Sequence, residues 1–182
     1  MRFGICTMPE NLELMERLGY DYIEMSATKT MDLSPNQQEE ARRILEASKV
    51  KCEVFNILFP KTMELIEGNT DEKALREYLH RAMALIRGFG AGIAVFGSGK
   101  CRRCPKQLSL REAYQKLVGI YRITGEVAGE YGVTVAIEPL SRRETNMINL
   151  MSEGAMLEAD VGMDNIQLLS DYFHVMSNHY SI

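Results

Sequence analysis

The residue that most invites chemistry is Glu138. It follows the apolar run Val-Thr-Val-Ala-Ile (133–137) and stands directly before Pro139. A carboxylate at the end of so apolar a segment must pair with a cation or bind one, because an unpaired buried charge is costly. Two partners are open to it: Arg142 or Arg143 in a salt bridge, or a metal ion. Asp171 repeats the pattern after Asn-Ile-Gln-Leu-Leu-Ser (165–170), and could equally cap a helix that starts there. Two carboxylates at neighbouring strand ends suit a hard or borderline divalent cation: Mg²⁺, Mn²⁺, Co²⁺ or Zn²⁺. Glu144 follows in Ser-Arg-Arg-Glu-Thr-Asn (141–146), where it can also be simply solvated. His174 lies three residues past Asp171, while His80 and His179 read as helical or surface residues rather than ligands. Cys101-x-x-Cys104 lacks the second pair that a zinc ribbon needs. Pro105 follows it, so it does not open a helix as a thioredoxin-like motif would, and it reads as two reduced loop thiols.

These side chains must be held by elements, and short apolar runs alternate with amphipathic ones along the chain. Strands are expected at 2–7, 22–26, 51–58, 93–98, 133–140 and 165–172. Helices are expected at 11–18, from Ser34 to about 48, at 71–89, at 109–131 and at 152–161, with Thr70 or Asp71 capping the third. Strict alternation implies a parallel sheet, since parallel neighbours need a helical crossover. Strand starts recur about every 33 residues, so the eight units of a (β/α)8 barrel would need roughly 260. The expected fold is therefore α/β: an incomplete (β/α)8 TIM barrel, six parallel strands with the last two βα units missing, in a single partial barrel domain over 1–182. A doubly wound sheet is the alternative. It would favour a glycine-rich turn after the first strand, which is absent, and Gly97-Ser98-Gly99 lacks the third glycine of a dinucleotide turn.

Composition bounds the function class. The 182 residues carry 21 basic and 25 acidic side chains, a net charge of −4 that argues against a non-specific nucleic-acid binder. The chain has no run near the ~20 apolar residues of a membrane helix and no basic leader, so a cytoplasmic protein with reduced thiols is expected. The basic patch of note is Lys100, Arg102, Arg103 and Lys106, which could meet a phosphate or be solvated. An open six-stranded sheet leaves its first and last strands as edges, so a homo-oligomer that covers them is expected.

Four stretches carry a family resemblance: Val135-Ala-Ile-Glu-Pro-Leu140, Glu144-Thr-Asn-Met-Ile-Asn149, Phe96-Gly-Ser-Gly99, and Val-Gly-Met-Asp-Asn-Ile-Gln-Leu-Leu-Ser-Asp-Tyr-Phe-His over 161–174. Together they resemble the sugar phosphate isomerase/epimerase family, xylose isomerase-like TIM barrels that include the ketose 3-epimerases. The resemblance spans the whole chain. It implies one divalent metal, held by a Glu after strand five, an Asp after strand six, a His after strand seven and a Glu after strand eight. Glu138 and Asp171 match the first two; Glu144 and His174 match residues that contact substrate hydroxyls. The other two ligands have no counterpart, so weak or absent metal binding and negligible turnover are expected of this chain. The implied reaction isomerises or epimerises a small carbohydrate, sugar or sugar phosphate. Glu138, both ligand and acid/base, moves a proton beside the ketose carbonyl through an enediolate. Two other readings stand beside it. One is a non-catalytic barrel remnant that acts as a binding or interaction protein. The other is an apurinic endonuclease-like nuclease, whose zinc cluster needs histidines at the ends of strands three and four, where the sequence has Val-Phe-Asn-Ile-Leu (54–58) and Val-Phe-Gly-Ser-Gly (95–99).

Overall fold

Short polar side chains set where the helices begin. In the computed structural model, which describes residues 1–68 and 71–178, Ser34 accepts from the Gln37 N–H while Gln37 reaches back to Ser34. Pro35 fills the first turn of the helix they start, α3 (Pro35–Ala47). Ser109 and Glu112 form the same reciprocal box at the head of α5 (Leu110–Glu130). Asp71 caps α4 (Glu72–Gly88); the other expected cap, Thr70, lies outside the described residues. Gly19 and Gly162 stop α1 (Leu12–Leu18) and α6 (Met151–Val161) in the left-handed conformation that suits glycine.

Six strands follow the expected alternation: β1 (Gly4–Cys6), β2 (Tyr22–Ser26), β3 (Lys51–Asn56), β4 (Ile93–Phe96), β5 (Thr134–Ile137) and β6 (Ile166–Leu168). Each pairs in parallel with the next in chain order, and β1 does not pair with β6. The fold is the expected α/β arrangement, with six parallel strands in one open sheet. Five strands are shorter than the apolar runs suggested. β5 stops at Ile137 because Pro139 cannot donate to a ladder. β6 stops at Leu168, and residue 172, expected as its end, instead opens a helix, α7 (Tyr172–Ser177). Seven α-helices form among the described residues where five were expected. The additional two, α2 (Ala27–Met31) and α7, are each under two turns and start from a capping Ser26 or Asp171. So short a segment leaves no helical periodicity to read.

The sheet has two unlike faces. Phe55, Ala94, Phe96, Val135 and Ile137 point into the large core formed with the helices. The alternate residues Val54, Val95 and Ala136 form a separate small cluster with Tyr22 and Leu169, as the period of two along a strand requires. Two buried tyrosines fix the carboxyl ends of the central strands. Tyr121 of α5 stacks on Phe96 with centroids 4.4 Å apart and donates to its carbonyl at 3.0 Å. Tyr78 of α4 donates to the Leu58 carbonyl at 2.7 Å. No helix among the described residues is long and apolar enough to cross a membrane.

Tyr121→Phe removes a hydroxyl that is fully buried between Phe96 and α5. The variant is expected to lose about 1–3 kcal/mol in urea unfolding with an unchanged m-value. No loss of stability would show that the strand end is held by packing alone.

Candidate active site

Strand parity decides which side chains meet. Glu138 has the parity of Ala136, and Asp171 that of Leu169, so both continue the small inner cluster rather than the helix-covered face. By the same count Glu24 follows Tyr22 and Asn56 follows Val54. These ends open onto one cleft of about 810 Å³, which Glu24, Asn56, Glu138, Glu144, Asp171 and His174 all line.

Within the cleft, single ligand atoms of Glu138, Asp171 and His174 all lie within 4.8 Å of one another. His174 is buried at 8% exposure. Its Nε2 stands 3.9 Å from Glu138 Oε1 and 3.7 Å from Asp171 Oδ2. On the other side of the ring, Nδ1 accepts the Ser141 N–H at 3.2 Å and lies 3.6 Å from Glu144 Oε1. A main-chain N–H can only donate, so the neutral ring carries its proton on Nε2, and that proton faces the two carboxylates. His174 is thereby placed as a hydrogen-bond donor into the cleft. A metal bound by Nε2 would need the proton on Nδ1, where Ser141 already points its own.

Asp171 caps a helix, as one of its two readings had it, and also borders the cluster. Oδ1 accepts the Phe173 N–H at 2.7 Å and caps α7, while Oδ2 faces the cluster. Glu144 is half exposed and 3.4 Å from the Ser141 hydroxyl, neither wholly solvated nor buried. α7 is bolted to the loop after β5 a second time. Asn178 accepts from the Arg142 N–H at 3.0 Å and donates to the Asn149 carbonyl at 2.8 Å.

Glu138 does not pair with Arg142 or Arg143; no ion pair among the described residues joins them. The nearby cation is Arg102, which corrects the expected basic patch. Its side chain is wholly buried rather than offered to solvent. Nη2 donates to the Glu138 main-chain carbonyl at 2.6 Å, Nη1 to the Tyr121 hydroxyl at 3.5 Å, and Nε has no partner. Burial pushes the Glu138 carboxyl up to about 7, and the charge of Asp171 adds to this, more than Arg102 offsets. A carboxyl so crowded by negative charge is relieved by a cation. The chemistry of the donor set, two carboxylates at one point, fits a divalent ion held by Glu138 and Asp171.

The bare backbone of Gly97 leaves room for the Glu138 carboxylate as it lies. A Cβ on Gly97 would land on Glu138 Oε2, and one on Gly99 would sit 2.8 Å from Leu140 Cδ1. The Phe96-Gly-Ser-Gly99 stretch thus lies against Glu138 and Leu140. The Cys101 and Cys104 thiols are free and buried. Cys101 Sγ donates to the Pro60 carbonyl at 3.0 Å, and burial pushes its thiol up to about 11. Asn146 binds both the N–H and the carbonyl of Cys104 at 2.9 Å, tying the β4 and β5 loops together. His80 hydrogen-bonds the Tyr131 hydroxyl away from the cleft; His179 lies outside the described residues. The ends of β3 and β4 present Asn56 and Ser98 to the cleft and, among the described residues, no histidine.

The sequence matches a model of the xylose isomerase-like TIM barrel family over residues 12–181. It is 25% identical over 179 residues to the inosose isomerase of Halalkalibacterium halodurans, covering 94% of this chain and 60% of that protein. It is 32% identical over 103 residues to the L-ribulose 3-epimerase of Mesorhizobium japonicum, covering 54% of this chain and 33% of that one. The chain thus spans at most about 60% of the length of these curated relatives. A D-psicose 3-epimerase solved in the presence of D-fructose superposes with a TM-score of 0.83 at 20% identity, over the whole of this chain and 67% of its own.

The raised Glu138 carboxyl makes stability depend on pH. The metal-free folded chain holds that proton up to about pH 7, whereas an unfolded glutamate releases it near about 4.3. Stability is therefore expected to fall by roughly 3–4 kcal/mol as pH rises through this window and to level off above it. Glu138→Gln should flatten that slope in metal-free urea unfolding. An equal slope in both proteins would mean that other groups set it.

Proposed function

The chain belongs to the xylose isomerase-like TIM barrel family, and from that premise we propose that the cleft is the site of a sugar isomerase or epimerase. One observation carries the reading. Glu138 and Asp171 converge with His174 at a single point, and no arginine side chain ties off either carboxylate. We assign Glu138 and Asp171 as ligands of a divalent ion, which when bound supplies Lewis acidity beside the reacting carbonyl. Glu138 is also the catalytic acid/base. A carboxylate at this point can both accept a proton from carbon and return it. His174 offers its Nε2 proton to a substrate oxygen, and the half-exposed Glu144 accepts from a hydroxyl at the wetter rim. A cleft of about 810 Å³ suits a small carbohydrate.

Two carboxylates grip an ion loosely, since catalytic sites commonly use three protein ligands. Net turnover by this chain is accordingly proposed to be negligible. We also propose that copies associate along the open sheet. Phe3 beside β1 and Tyr172 and Phe173 beyond β6 are each at least 60% exposed, and unpaired strand edges favour association. A monodisperse monomer in light scattering would remove that part of the proposal.

Mn²⁺ titration followed by water-proton relaxation tests the assignment. Weak binding is expected, with a loss of at least about tenfold in Glu138→Gln/Asp171→Asn, or about 1.4 kcal/mol. Undiminished binding by the double variant would sink it, as would brisk ketose epimerisation by Glu138→Gln.

A further inference from the structure

The cleft has a second lining that the proposed chemistry does not use. Lys61, Lys100, Arg103 and Arg143 all border it, all are exposed, and none makes a side-chain hydrogen bond or ion pair among the described residues. They arrive from three separate loops, after β3, β4 and β5. The structure therefore redraws the basic patch legible in the sequence. Arg102 leaves it for the interior and Lys106 does not border the cleft, while Lys61 and Arg143 join.

The backbone between them adds to the same field. The Cys101 N–H closes a turn onto the Ser98 carbonyl at 3.0 Å, with Ser98 at a φ of +37°. The N–H groups of Gly99 and Lys100 lie inside that turn and have no protein acceptor among the described residues. Main-chain N–H groups gathered in a turn beside basic side chains are an anion-binding arrangement.

Charge balance says which anion. The four cations face four lining carboxylates, Glu24, Glu138, Glu144 and Asp171. A divalent ion on Glu138 and Asp171 would leave the cleft two charges positive. A phosphate monoester, close to a dianion at neutral pH, restores neutrality; an uncharged ketose does not. Inosose, ribulose and psicose, the substrates named for the relatives, are all uncharged.

We propose that the cleft takes a phosphorylated ketose, its carbonyl end at Glu138 and Asp171 and its phosphate among Lys61, Lys100, Arg103 and Arg143. The carbonyl half rests on the function proposed above; the phosphate half stands on the lining cations. Calorimetric titration of the full chain with D-fructose 6-phosphate and with D-fructose, each with and without Mg²⁺, tests it. The ester is expected to bind at least about tenfold tighter, with a gap that narrows as salt is added. Lys100→Ala/Arg103→Ala should erase the gap, while Lys106→Ala, outside the cleft, should keep it. Circular dichroism confirms that each variant folds. Equal affinity for the two compounds, no measurable binding of the ester, or a gap that survives the double variant overturns the proposal. Inorganic phosphate is the third probe: if it competes with the ester, the phosphate group itself is what the cations hold, and if it does not, they are not its site. Mn²⁺ binding to Glu138→Gln/Asp171→Asn, measured separately, tells failure of the metal site from failure of the phosphate site.

Discussion

Glu138 is carried past the end of a strand by three apolar residues, Val135, Ala136 and Ile137, and it arrives with its side chain only 18% exposed. A carboxylate in that position cannot rely on water for its charge. Three neighbours respond to it. Gly97 gives up a side chain so that the carboxylate can lie over the β4 end. Arg102 is drawn wholly inside, at the desolvation cost of a guanidinium, and grips the Glu138 carbonyl from behind. His174 turns its Nε2 proton toward the acid from the far side, with Ser141 holding the ring. Asp171 works the other way. It adds a second negative charge beside the first, and with the burial of Glu138 this pushes that carboxyl up.

The division between legible and illegible follows from range. The six strands and the five longer helices could be read because each is a periodic signal of several residues or carries a cap. Ser34-Pro35 and Ser109-x-x-Glu112 announce their helices outright. Strand parity then carries Glu138 and Asp171 to the inner face with no further information. α2 and α7 could not be read, being too short for a period. With α7 hidden, residue 172 looked like the end of a strand, and the buried setting of His174 was out of reach.

Arg102 shows a different limit. It sits in Lys-Cys-Arg-Arg, among cations that stay wet, and nothing local separates it from Arg103. Its burial is decided by the Tyr121 hydroxyl 19 residues away and the Glu138 carbonyl 36 residues away. Such pairings are set by the fold and leave no trace at short range. The same holds for Asn146 and Asn149. In the sequence they are two polar residues of a loop; in the structure they clamp the Cys104 main chain and the Leu140 and Thr145 carbonyls.

These clamps bear on why the cluster can form within an open sheet. Glu138, Asp171 and His174 come from β5, the end of β6 and α7, and the residues that brace them come from the β4 and β5 loops and from α5. All of these elements are consecutive in the chain and adjacent in the sheet. Among the described residues no hydrogen bond to the cluster comes from β1 or α1. The geometry of the acidic pair is therefore a property of the β4–β6 side, fixed by hydrogen bonds between neighbouring loops rather than by closure of a barrel. The wider cleft is different: Lys61 and Asn56 follow β3 and Glu24 ends β2. Its breadth depends on how far the sheet curls, whereas the carboxylate pair does not.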